Sequence, residues 1–159
     1  MKTKNFFKLL FLEIVTLALV VAYFLINSSD IYRWYVGNTN FVKQDKSCDL
    51  HDTECEVTLK DGSKMTLSIE PKTIPLMKPI KLVLFTKGID LKSLELKIFA
   101  TNMNMGLIET HMKRVSKNHY ETKLTLPSCI VGNMIWNANI IANKPTKSIG
   151  AVFEFQTGK

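Results

Sequence analysis

The chain lacks the motifs of the common hydrolases and nucleotide-binding enzymes. It has no Gly-x-Ser-x-Gly, no His-Glu-x-x-His, no glycine-rich phosphate loop and no Cys-x-x-Cys. Cys129 and His111 pair only formally as nucleophile and base, because no third residue is placed to orient them. An enzyme is therefore not expected. There is no internal repeat, no low-complexity segment and no amphipathic helical period after residue 26, which argues against repeat arrays and helical bundles. Cysteine is sparse at three residues, so in an oxidising compartment at least one thiol has no partner within the chain.

What is present begins with a long apolar run. The chain has 159 residues, room for about one domain of ordinary size, and much of its 46% apolar content sits in the first twenty-six positions. After Lys2, Lys4 and Lys8, residues 9–26 read LLFLEIVTLALVVAYFLI, about the length of a bilayer crossing. This predicts a transmembrane signal anchor. A cleaved signal peptide is the alternative, but its apolar region is usually about 7–15 residues and ends at small residues, whereas Tyr23-Phe24-Leu25-Ile26 is bulky. The lysines keep residues 1–8 cytoplasmic and send the remainder across, and Tyr23, Tyr32, Trp34 and Tyr35 suit the far lipid–water interface. Glu13 is an ionisable group at membrane depth and reads either as a neutral carboxyl or as a contact to a partner helix. The net charge of +7 comes from scattered basic residues and the domain is expected beyond the membrane, so a solvated surface is expected, with no nucleic-acid partner.

Residues 27–47 show no sustained period and read as a tether, leaving residues 48–159 as the domain. Cys55 to Leu59 and Lys64 to Ile69 flank an Asp61-Gly62 turn as a hairpin. Pro71, Pro75 and Pro79 make the next stretch an extended connection or edge crossing. Further strands are predicted over residues 80–86, 94–101, 110–115, 119–126, 134–141 and 149–156. The result is an all-β domain of about 7–8 strands, an antiparallel β-sandwich resembling immunoglobulin-like domains, preceded by one transmembrane helix.

The chemistry concentrates between Asn102 and Trp136. If residues 110–115 run away from NMNMG and residues 119–126 return, Cys129 comes back beside Met103 and Met105, and Met134 opens the next strand at that end. Three thioethers and a thiol gathered this way suit Cu(I), because soft sulfur donors discriminate against hard cations. The parity of residues 94–101, carried forward, puts Met103 and Met105 on the polar face, about 6–7 Å apart on an extended backbone. Met134 shares parity with Trp136, Ala138 and Ile140 and also reads as an inward packing residue, as does Trp136. His111 is the histidine nearest NMNMG and the one able to contribute, since His119 lies roughly 13 Å along the ladder from it. Cys48 and Cys55 form the natural disulfide, leaving Cys129 free, and the competing arrangement joins one of them to Cys129. If the thiols stay reduced, Cys48, His51 and Cys55 make a second soft site.

NMNMG, the turn at Asn118-His119-Tyr120 and Gly132-Asn133-Met134-Ile135-Trp136 together resemble the YtkA-like and FixH-like domains, over roughly residues 80–156. That resemblance implies a small bacterial immunoglobulin-like domain, anchored by a single pass in the inner membrane and facing the periplasm. It also implies a role in copper handling, with a copper-requiring membrane enzyme such as a haem-copper oxidase, or an exporter, as partner. Leu107 stands where a histidine is frequent, which favours an all-sulfur site. The function expected is Cu(I) holding or delivery, with a metal-free membrane scaffold as the alternative.

Overall fold

The computed structural model describes residues 3–25, 40–128, 132–144 and 148–158, and Tyr32, Trp34, Tyr35 and Cys129 lie outside them. The chain forms two compact units, Met1–Asn38 and Thr39–Lys159. The first contains α1 (Thr3–Leu25). The side chains described in α1 are those of Lys8 and residues 10–21, and among the described residues no helix is long and apolar enough to cross a membrane.

The second unit is all-β. Its strands are β1 (Asn40–Lys43), β2 (Cys55–Thr58), β3 (Lys64–Glu70), β4 (Pro79–Lys87), β5 (Ser93–Ala100), β6 (Leu107–Ser116), β7 (His119–Thr125), β8 (Met134–Asn143) and β9 (Ser148–Thr157). β2 to β9 fall on the eight segments expected from apolar alternation. β1 is additional and lies inside the stretch read as a tether. Its four residues carry no period, and it owes its form to parallel pairing with β9, from Asn40↔Ile149 to Lys43↔Val152. Phe41 lies across Gly150, where an added Cβ would stand 2.6 Å from the ring, so the close approach of the two strands requires glycine.

The all-β expectation holds, with the strands hydrogen-bonded more continuously than a two-sheet sandwich requires. All nine strands join one sheet in the order β1-β9-β8-β5-β6-β7-β4-β3-β2. β6 makes the connection: its pairing with β7 shifts register between Arg114 and Ser116, and a bulge of this kind bends the strand and carries the ladder around a corner. The adjoining turn places Asn118 at φ 61°, a conformation Asn tolerates better than most residues. The sheet curls until its edge strands β1 and β2 approach each other, and the enclosed side chains form a single core.

Alternation decides which residues face that core. Leu94, Leu96 and Ile98 of β5 and Met134, Trp136, Ala138 and Ile140 of β8 are all buried. Tyr120 is fully buried and satisfies its hydroxyl on one residue, donating to Leu91 O at 2.9 Å and accepting from Leu91 N at 3.1 Å. The 71–78 connection is folded into turns rather than extended, with Ile74 buried and its amide bonded to Pro71 O at 3.0 Å.

Asp61 ties the β2–β3 turn to the end of β8. Its Oδ2 accepts from Lys144 Nζ at 2.7 Å and its Oδ1 from Ser63 N at 3.1 Å. The Lys144 hydrogen bond, followed by that from Ser63, lowers the carboxyl to about 2. The folded pKa is therefore below the unfolded one, and the contribution is fully present above about pH 4 and lost as pH falls towards 2. Both side chains are about a third exposed, so Asp61→Asn should cost only about 1 kcal/mol at pH 7. Urea unfolding of both proteins should give a constant difference from pH 7 down to about 4 and none near pH 2.

Candidate functional site

The strand registers bring the sequence-predicted loops to one end of the β-unit. Phe99 of β5 lies opposite Leu107 of β6, Ala100 opposite Trp136, and Met134 opposite Thr157. β7 returns to the same end, since β4 and β7 pair Pro79 with Thr125. The connection 101–106 and the described residues 126–128 and 132–133 therefore lie at the same end of the sheet.

A polar clasp holds the two together. Thr101 N donates to Ile135 O at 2.8 Å. Asn102 Nδ2 donates to Asn133 O at 2.9 Å, and Asn102 Oδ1 accepts from Ile135 N at 3.1 Å. Asn102 thus extends the β5–β8 ladder by one step with its side chain while its backbone turns away. Asn104 Oδ1 accepts from Gly106 N at 3.3 Å, and Gly106 at φ 79° turns the chain into β6. Sequence analysis assigned Asn102 no role of its own. The available signal was an asparagine one residue beyond the end of an alternating strand, where side-chain bonding to backbone competes with the ladder.

Met103 and Met105 lie on this clasped loop, both half-buried. The parity argument does not extend to them, because β5 ends at Ala100 and the chain leaves the ladder at Thr101. Met105 consequently packs against the core rather than standing on a polar face. Met134 is 1% exposed and inward-facing, beside Trp136 in the core. The tryptophan ring is buried, and its Nε1–H donates to Thr157 Oγ1 at 2.9 Å.

His111 is not brought to the loops. It sits four residues along β6 from Leu107, roughly 13 Å away, exposed and opposite Glu95 of β5. There it borders a charged ladder in which Lys97 Nζ lies 3.0 Å from Glu95 and 3.2 Å from Glu109. Burial works against the charged form of Glu95, but hydrogen bonds from Lys97 and Asn143 outweigh it and hold the carboxyl below its ordinary range. His119 faces β4 instead, stacked on Phe85 with centroids 4.7 Å apart.

Cys48 and Cys55 are disulfide-bonded, with Cα atoms 5.8 Å apart. That leaves Cys129 as the one cysteine of three outside the bond. It also removes the second soft site, because both thiolates are consumed. His51 acts as a staple within the closed loop: Nδ1 lies 2.9 Å from Lys72 O and Nε2 lies 2.7 Å from Gln156 O. Gln44 works in parallel, its amide donating to Val152 O at 3.0 Å and its Nε2 to Glu154 O at 2.8 Å. Among the described residues no three His, Cys, Asp or Glu side chains converge as a metal-binding group. Comparison with protein-family models, curated proteins and solved structures finds no match to this chain.

Proposed function

We propose that this chain is a membrane-anchored, extracytoplasmic protein that binds Cu(I) and holds it for, or passes it to, a copper-requiring membrane enzyme or exporter. The β-unit is read as immunoglobulin-like and of the YtkA-like and FixH-like kind, facing the bacterial periplasm. The observation that carries the reading is the make-up of the loops gathered at one end. Residues 101–106 carry Met103 and Met105, the sequence of 126–133 carries Cys129, and neither contains Asp, Glu or His. A donor set of this kind favours a soft monovalent ion over magnesium or calcium, for which it has no carboxylate. The Asn102 clasp supports it by fixing the methionine loop on the foot of the neighbouring segment. Met134, beneath the loop, serves chiefly as packing.

Anchoring is supported by α1, whose described side chains beyond Lys8 are apolar on all sides apart from Glu13 and Thr16. Phe11, Leu12, Leu17 and Leu19 are each more than 60% exposed, and a helix hydrophobic all round needs an apolar environment.

The test is anaerobic Cu(I) titration of the full-length chain in mild detergent against a Cu(I)-specific chelator, beside Met103→Leu/Met105→Leu. Leucine keeps apolar volume and removes sulfur, costing under about 1.5 kcal/mol per site. Wild type is expected to bind stoichiometrically and the folded variant to bind at least about tenfold more weakly. Wild-type binding no tighter than the variant's would overturn the copper reading and leave the scaffold as the better account.

A further inference from the structure

We infer that Met77 is a third thioether of the Cu(I) site, contributed by the 71–78 connection from the opposite side of the loop end. The inference rests on the copper reading above. β3 ends at Glu70 and β4 begins at Pro79, which pairs with Thr125, so the connection emerges at the end that carries residues 101–106. Met77 N donates to Leu126 O at 2.9 Å. Leu126 is one foot of the segment whose other foot, Asn133, is held by Asn102. Met77 and Met103 therefore flank the two feet of one segment.

The side chain of Met77 has no packing role that accounts for it. At 68% exposure it is the most exposed large apolar residue of the β-unit among those described. Its backbone φ is 57°, a left-handed conformation that disfavours side chains other than Gly, Asn and Asp. An exposed thioether kept at a position better suited to glycine needs another reason.

Methionine placement across the unit supplies one. Met65 and Met112 are fully buried within strands, and the other four, Met77, Met103, Met105 and Met134, are at this one end. Residues 71–78, like the other two loops, contain no Asp, Glu or His. Of their two lysines, Lys72 is engaged elsewhere, its Nζ donating to Thr53 O at 2.9 Å and Leu50 O at 3.3 Å, and Lys78 is exposed beside Met77. The unbranched methionine side chain, with three rotatable bonds, lets a sulfur on a fixed backbone adjust to an ion held chiefly by Met103 and Met105.

The experiment is Cu(I) titration of the full-length Met77→Leu variant, with sulfur coordination counted by X-ray absorption, alongside wild type and Met103→Leu/Met105→Leu. Leucine preserves the backbone strain and bulk, so the fold should be unaffected. Met77→Leu is expected to retain a stoichiometric site, to bind about tenfold or more weakly, and to show one sulfur fewer than wild type. Affinity within about twofold of wild type and an unchanged sulfur count would overturn the assignment of Met77 while leaving the copper reading intact. Absence of binding by wild type would instead overturn the reading on which it rests.

Discussion

Replacing Trp136 with alanine is expected to cost about 3–5 kcal/mol, the largest loss from any single substitution at the loop end. The ring is 1% exposed in the middle of the curled sheet, between Ala100 of β5 and Phe155 of β9 on the neighbouring strands. Truncation removes a large apolar surface and leaves a cavity that hydrogen-bonded strands on both sides cannot close. It also leaves Thr157 Oγ1, on a residue 1% exposed, without its donor. For a domain of this size the melting temperature should fall by roughly 10–20 °C. Trp136→Phe separates the two causes: it fills most of the space and removes only the N–H, so a loss of about 1–2 kcal/mol is expected. Both follow from urea unfolding of the purified chain.

Cys48→Ala/Cys55→Ala should lower stability by about 2–3 kcal/mol. The bond closes a loop with a sequence separation of 7, and the loop-closure entropy restored to the unfolded chain is worth about 2.5 kcal/mol. The loop also holds Leu50 at 0% exposure and carries His51 to the backbone of Lys72 and Gln156. Alanine is preferable to serine because Cys55 is fully buried and an unpaired hydroxyl there would add its own penalty. Reducing wild type with a dithiol should reproduce the unfolding midpoint of the variant. A reduced wild type matching the oxidised one would mean that the side-chain staples alone hold the loop.

Most strands were legible because alternation at period two reports burial on one face. β5 and β8 show it clearly, with Leu94, Leu96 and Ile98 and then Met134, Trp136 and Ala138 inward. β1 was not legible, since Asn40 to Lys43 gain their form only from β9 and from the space above Gly150. The single continuous sheet was hidden for a related reason: it depends on a bulge near Val115, and no residue type announces a bulge of that kind. At the candidate site the convergence of loops 101–106 and 126–133 followed from strand order. The orientation of Met105 did not, because parity ends where the ladder ends and the loop folds back on the core. Met77 was invisible for want of a long-range clue, as its link to Leu126 joins positions 49 apart in sequence through a single backbone bond.

Beyond Val152, β9 is finished by side chains rather than by a further strand. β1 departs there, and a bare row of carbonyls would invite a neighbour's chain to continue the sheet. Gln44 and His51 occupy Glu154 O and Gln156 O with groups that cannot propagate a ladder, so those two carbonyls are closed to a neighbour's strand. The shield at Gln156 rides on a segment closed by one sulfur–sulfur link. Cleavage of that link is therefore expected to uncover Gln156 O at the sheet edge as well as to loosen the loop.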